Sequence, residues 1–226
     1  MEAANAPEGR ILLINKPLTW TSFDVVNKVR FKLRTKKVGH AGTLDPLATG
    51  LLIVCVGKMT KRIEEFMGLE KEYTGSFTLG EVTASYDLET PVEQTRDISN
   101  ITKDGIYEAT KPFIGRIQQL PPAHSAIKVG GKRAYEFARK GKPVELAPRE
   151  VEVSTFEITD IDLPKVMFRI VCSKGTYIRS IARDFGEELG VGAHLSALCR
   201  TRIGPYSIEQ ATDINDIAVD PRGVTT

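Results

Sequence analysis

Gly39-His40-Ala41-Gly42-Thr43-Leu44-Asp45-Pro46-Leu47-Ala48-Thr49-Gly50 runs directly into Leu51-Leu52-Ile53-Val54-Cys55-Val56, the longest uninterrupted apolar run of the chain. That run predicts a buried strand and is far too short to span a bilayer. The three glycines permit a tightly folded loop with close backbone approach to a ligand. Pro46 biases Asp45 away from helical geometry and so holds its carboxylate at a defined place. On local chemistry alone the stretch also fits an ordinary Asp-Pro turn. The pattern G-x-x-x-x-G-K-[ST] is absent, which removes a phosphate-binding P-loop.

Working outward, Arg10 to Ile14 reads as a buried strand stopped by Lys16-Pro17. Thr21 or Ser22 can cap a helix whose apolar positions Val25, Val26, Val29 and Leu33 follow helical spacing. Downstream of the loop, Thr60 to Met67 predicts a short helix ended by Gly68. Lys71 to Leu79 alternates as a half-buried strand, with Tyr73, Gly75, Phe77 and Leu79 on one face. Thr102 to Phe113 predicts a helix. The stretch rich in Pro, Gly and Lys from Leu120 to Pro148 predicts a protruding arm, with a strand at Ser125 to Val129, a turn at Gly130-Gly131 and a short helix near Tyr135. Two strands follow, Val151 to Ile161 and Lys165 to Ser173. The clearest helix is Thr176 to Leu189, stopped by Gly190. Mixed alternation with several hairpin-like pairs predicts α+β architecture rather than a doubly wound parallel sheet.

The bulk numbers set limits. A chain of 226 residues with 41% hydrophobic and 27% charged residues can bury a proper core. Residues 1–9 have neither a basic nor an apolar leader region and read as a frayed tail. Cys55, Cys172 and Cys199 are odd in number and far apart, which argues against a disulfide framework or a zinc cluster and fits a reducing cytoplasm. A net charge of +2 says little, but its distribution says more. Lys28, Arg30, Lys32, Arg34, Lys36 and Lys37 lie between Val25 and Gly42 without an acid among them. A second basic stretch holds Lys128, Lys132, Arg133, Arg139, Lys140 and Lys142. Such segregation suits phosphate binding, although either run alone reads better as a solvated face.

A second constellation is Cys172-Ser173-Lys174-Gly175-Thr176-Tyr177-Ile178-Arg179-Ser180, which leaves a strand, turns and enters the long helix. Tyr177 and Arg179 fall off its apolar stripe, where they can face a cleft. An arginine there can hold a buried carboxylate ionised.

Together, Gly39 to Gly50, the strand holding Lys71-Glu72-Tyr73, and Cys172 to Arg179 followed by Gly192-Ala193-His194-Leu195 resemble the bacterial tRNA pseudouridine synthase B (TruB) family. The motifs occur in the family's order, and the match runs in register from about Gly9 to about Tyr206. The resemblance implies the pseudouridine synthase fold, a mixed and mostly antiparallel sheet flanked by helices with a thumb-like insertion near residues 120–148. It implies a tRNA isomerase that converts the T-loop uridine, position 55 of tRNA, to pseudouridine. Asp45 matches the catalytic aspartate, Arg179 the arginine that pairs with it, and Tyr73 the tyrosine that stacks on the target base. Tyr177 and Leu198 match residues lining the uracil pocket. His40 matches the histidine that fills the space left by flipped bases, and Lys128 a basic position in the insertion. Asp87 keeps an acidic position able to brace Arg179, whereas Ala84 stands where the family often has aspartate.

No metal or organic cofactor is implied, and the expected partner of this cytoplasmic monomer is the T-arm of tRNA, with no membrane. The chemistry fits the need: a carboxylate near the sugar–base junction can act as nucleophile or proton acceptor. Flipping the base costs a few kcal/mol, and stacking on an aromatic ring can return about 1–3 kcal/mol. The family commonly carries a C-terminal PUA domain. About twenty residues follow Tyr206, so residues 10–226 are expected to form a single catalytic domain without it. Two rivals are a guide-dependent pseudouridine synthase, for which that domain is expected, and a tRNA-folding helper without chemistry, against which Asp45, Tyr73 and Arg179 together argue.

Overall fold

The computed structural model describes residues 9–217 apart from 126, 139 and 143, with only the backbone described for residues 128 and 138. The expected tail therefore falls, up to residue 8, outside the described residues. In chain order the elements are β1 (Arg10–Lys16), α1 (Ser22–Lys32), β2 (Val38–His40), β3 (Ala48–Val56), α2 (Ile63–Gly68), β4 (Lys71–Leu79), β5 (Glu81–Thr83), β6 (Val92–Thr95), α3 (Lys103–Glu108) and β7 (Gly115–Gln119). Then come β8 (Lys128–Val129), β9 (Lys132–Arg133), α4 (Ala134–Ala138), β10 (Arg149–Asp162), β11 (Lys165–Cys172), α5 (Ile178–Glu188), β12 (Ala193–Ile203), β13 (Tyr206–Ser207) and β14 (Thr212–Asp213). The class is α+β, and antiparallel pairs dominate a mixed sheet. Contacts divide the chain into two compact units, one up to Tyr73 together with Leu198 onward, the other Thr74–Ala197.

The first unit is built around β3. Leu52, Val54 and Val56 pack against Val25, Val26, Val29 and Leu33 of α1, while Leu51, Ile53 and Cys55 pack on the opposite side with Phe66 of α2. A strand covered on both faces needs an unbroken apolar run. Each such side chain contributes roughly 1.5–3 kcal/mol by leaving water. β1 lies antiparallel along one edge of β3. The other edge is shared by β2, antiparallel, and by β12, parallel. Thr21 starts α1 with a reciprocal cap, its hydroxyl accepting from the Asp24 N–H at 3.1 Å while Asp24 accepts from the Thr21 N–H at 2.9 Å. Such caps are worth about 1 kcal/mol.

In the second unit β10 pairs with β11 on one side and β7 on the other, both antiparallel. Its centre is aromatic: Phe77 stacks on Phe168 at 4.2 Å, and Phe113, Phe156 and Phe185 meet edge-on or tilted around them. The insertion holds a two-stranded ladder, β8 with β9, followed by α4, in the expected order.

Several expectations are corrected. β3 begins at Ala48, because β12 pairs with its first residues. Residues 57–62 form a 3-10 segment before α2. The alternation along β4 fails beyond Gly75, since Ser76 and Thr78 are covered as well as Phe77 and Leu79. The helix expected over Thr102 to Phe113 ends at Glu108, and a separate 3-10 turn with Pro112 in its first turn covers Lys111–Phe113. The stretch Thr212 to Ala218, which the sequence offers at most as a short closing helix, instead opens with a strand, β14. It runs parallel to β1 and leads Ile214 and Ile217 into the α1 core.

Gly186 shows packing overruling propensity. Alanine is favoured over glycine inside a helix by about 1 kcal/mol. A Cβ at Gly186 would lie 2.1 Å from the Ala193 nitrogen and 2.3 Å from the Gly192 carbonyl carbon, both backbone atoms. Gly186→Ala is therefore expected to destabilise the protein by about 1–3 kcal/mol, read as a lower urea midpoint; an unchanged or raised midpoint contradicts this account.

Candidate active site

Residues 41–47 close the hairpin between β2 and β3, and Asp45 stands half-buried within them. The loop backbone is tied down at several points. Ser22, buried at the start of α1, accepts from the Leu44 N–H at 2.8 Å and donates to the Leu44 carbonyl at 3.1 Å. The Thr19 N–H reaches the Pro46 carbonyl at 2.8 Å, and the Ala48 N–H turns back onto the Asp45 carbonyl at 3.1 Å.

Two buried cations complete the anchoring. Lys16, 0% exposed, donates to the carbonyls of Pro17 at 2.9 Å, Trp20 at 2.6 Å and Pro46 at 3.4 Å. Arg200, 1% exposed, donates to Leu51 at 2.8 Å, Gly42 at 3.2 Å and Thr43 at 3.4 Å. The planar guanidinium fork thus ties the start of the loop to Leu51 within β3. Burial pushes the Lys16 ammonium down to about 8, opposed by the Asp45 carboxylate and reinforced by the Arg200 charge. Gly50 lets β12 pass close by: its φ is +104°, and a Cβ there would lie 2.4 Å from the Arg200 carbonyl oxygen. Neither Lys16 nor Arg200 is among the site residues expected from sequence. The one available signal is a charged side chain at a position whose neighbours belong to a buried strand.

His40 ends β2, and Leu198 of β12 lies in register with Ala48, so both flank this loop. Burial pushes the His40 imidazole below its ordinary value, against a hydrogen bond that it donates to the Gly42 backbone, so it is mainly neutral near pH 7. Tyr73 belongs to the same unit and is 9% exposed in β4.

Tyr177, Arg179, Asp87 and Lys128 belong to the second unit. Gln119, buried at the end of β7, grips the backbone of Tyr177 twice, accepting from its N–H at 2.8 Å and donating to its carbonyl at 3.1 Å. Tyr177 thereby becomes the N-cap of α5, which begins at Ile178, two residues later than the expected start at Thr176. Arg179, which the sequence allows to face a cleft, is buried. Its guanidinium donates to the carbonyls of Ser85 at 3.2 Å and His124 at 2.9 Å, and lies 3.6 Å from the Asp87 carboxylate. Asp87 therefore does brace Arg179, within the second unit. The Lys128 side chain lies outside the described residues.

The chain matches the family model of the TruB family pseudouridylate synthase N-terminal domain over residues 30–178. It matches that of the tRNA pseudouridylate synthase B C-terminal domain over residues 179–220. It is 53% identical over 214 residues to the tRNA pseudouridine synthase B of Flavobacterium johnsoniae, covering 92% of this chain and 93% of the relative. It is 53% identical over 215 residues to that of Parabacteroides distasonis, covering 92% of each. Among solved structures it is similar to a chain of a Cbf5-Nop10-Gar1 complex, with TM-score 0.72 and 32% identity over 92% of this chain. That match takes in 53% of the solved chain, so this chain spans about half its length.

Two outcomes test the anchoring. Arg200→Lys keeps the charge but not the fork, and is expected to cost about 1–3 kcal/mol of stability and to speed hydrogen exchange at the Leu44 amide; unchanged exchange there contradicts the anchoring role. A lysine with a folded value near 8 and an ordinary value of 10.5 loses its proton first in the folded state. The unfolded chain then binds more protons between those values, so the contribution of Lys16 to stability rises from about pH 8 to about pH 10.5. Denaturation of wild type against Lys16→Met should show the difference growing in favour of wild type across that window; a falling difference contradicts it.

Proposed function

The chain belongs to the TruB family of pseudouridylate synthases, and from that membership we infer that it is an enzyme isomerising the T-loop uridine of tRNA to pseudouridine. The observation that carries this reading is the 53% identity to a tRNA pseudouridine synthase B across 92% of the chain and 93% of the relative. Coverage of the relatives over nearly their whole length favours an enzyme of their kind over a guide-dependent one.

The net reaction breaks the bond from the sugar C1′ to uracil N1 and forms one from C1′ to C5. A proton leaves C5 and one is bound at N1, so nothing is consumed. A carboxylate at the sugar–base junction supplies what such a rearrangement needs, a nucleophile or a proton acceptor. Asp45 takes that role in our reading, supported by its place in the motif and in a loop whose backbone is anchored by Ser22 and Arg200. Tyr73 stacks on the flipped base, Tyr177 and Leu198 line the uracil site, and Arg179 with Asp87 completes the polar set. His40, neutral near pH 7, fills the space the flipped base leaves without placing a charge among stacked bases. Lys128 and its basic neighbours in the insertion clamp the RNA backbone.

Incubating unmodified tRNA with wild type and with Asp45→Asn, and mapping pseudouridine position by position, tests the assignment. One product site in the T loop is expected for wild type. A loss of at least about a thousand-fold is expected for the Asn variant, the scale of removing a covalent or acid–base catalyst. Equal product from both proteins contradicts it.

A further inference from the structure

α1 turns an unusual side outward. Phe31 is 80% exposed and Phe23 56% exposed, on a helix whose other face is fully buried. Phe23, Asn27 and Phe31 follow i, i+4, i+8 spacing and form one line roughly 12 Å long. The Arg30 guanidinium lies 5.5 Å from the centre of the Phe23 ring and donates to the Asn27 side chain at 3.2 Å. At the start of the helix, Thr19, Trp20, Asp24, Asn27 and Lys28 line a shallow depression of about 480 Å³. Trp20, the chain's single tryptophan, is half-buried and packs against the α1 core. The Asp24 carboxylate is engaged by the helix cap.

The depression shares its backbone with the Asp45 loop. Thr19 bonds to Pro46, and Lys16 holds the carbonyls of both Trp20 and Pro46. Thr19 has φ +69°, in the left-handed region that a β-branched residue occupies only at a cost of about 1–2 kcal/mol. Such strain persists where surrounding structure imposes it, and it gathers at ligand sites.

Aromatic faces interleaved with cations, and no acid between Val25 and Gly42, match a polyanion that carries flat rings. A second copy seated on this side across a two-fold axis would set Lys28 and Arg30 against like charges, which opposes self-association. Phenylalanine faces need exposed base faces, and a hairpin whose loop occupies the Asp45 site offers only paired stem beyond that loop. We propose that the outward side of α1 and the Trp20 depression form a second RNA-binding surface, which takes unpaired nucleotides of the substrate RNA outside that hairpin. This rests on the tRNA reading above.

The test titrates an unmodified full-length tRNA transcript and an isolated T-arm hairpin into wild type, Asn27→Ala/Phe31→Ala and Phe31→Tyr. Anisotropy of labelled RNA, Trp20 emission and pseudouridine formation in the hairpin are followed. Full-length tRNA is expected to quench Trp20 emission and to bind the double variant roughly ten-fold more weakly, the scale of one lost stacking contact. Phe31→Tyr, which keeps a stacking ring, should stay close to wild type. Hairpin affinity and hairpin turnover should be the same in all three proteins. Because the exchanged side chains are exposed, unchanged melting temperatures are expected and are checked alongside. Unchanged tRNA affinity in the double variant overturns the proposal, as does an equal loss for the hairpin. So does a concentration-dependent dimer of wild type that Asn27→Ala/Phe31→Ala abolishes. A wild type that leaves the hairpin unmodified overturns instead the catalytic reading on which the proposal rests.

Discussion

The guanidinium of Arg200, buried and forked across the carbonyls of Gly42, Thr43 and Leu51, is the contact on which the arrangement of the first unit turns. Two of those oxygens sit at the start of the loop and the third within the strand that follows it. A glycine-rich segment has many conformations available, and fixing each residue costs about 1–2 kcal/mol of chain entropy. One rigid fork satisfying three acceptors offsets part of that cost and selects one conformation. Lys16 does the same from the other side, through Pro17, Trp20 and Pro46.

Burying two cations under one loop opposes itself electrostatically. Their mutual repulsion and their lost hydration both disfavour the charged forms, and Lys16 shows the result in its lowered value near 8. Carbonyl dipoles compensate in part, and the Asp45 carboxylate favours the Lys16 charge. Electrostatic benefit is reciprocal: a cation that the carboxylate stabilises also favours the ionised carboxylate. The hydrogen bonds from Lys16, Ser22 and Arg200 go to the loop backbone.

The second unit solves a similar problem with different parts. Arg179 is held by two carbonyls and the Asp87 carboxylate, at full burial, and Gln119 fixes the backbone of Tyr177 just ahead of it. Removing one partner of a buried ion pair leaves an uncompensated charge, which costs more than the intact pair contributes. Ser85 and Asp87 lie in the short connection between β5 and β6, so that connection supplies the socket for an arginine more than ninety residues later in sequence.

Much of this protein was legible as a string of residues. The cap at Thr21, the α1 stripe, the unbroken apolar run of β3, the β10–β11 pair and the stop at Gly190 all follow from spacing within a few residues, because a helix turn or a strand pleat is a local repeat. The Asp45, Tyr73 and Arg179 motifs were legible through their likeness to a family. Local chemistry left Asp45 an ordinary turn residue, and spacing alone turned Arg179 toward a cleft. Only the tertiary structure decided that Arg179 is buried on Asp87, that Thr212 extends along β1 instead of coiling, and that Lys16 and Arg200 lie beneath the loop. The reason is distance along the chain. Arg200 meets Leu51 across 149 residues and Gly42 across 158, and no periodicity in a sequence reports which distant carbonyls will be left needing a donor.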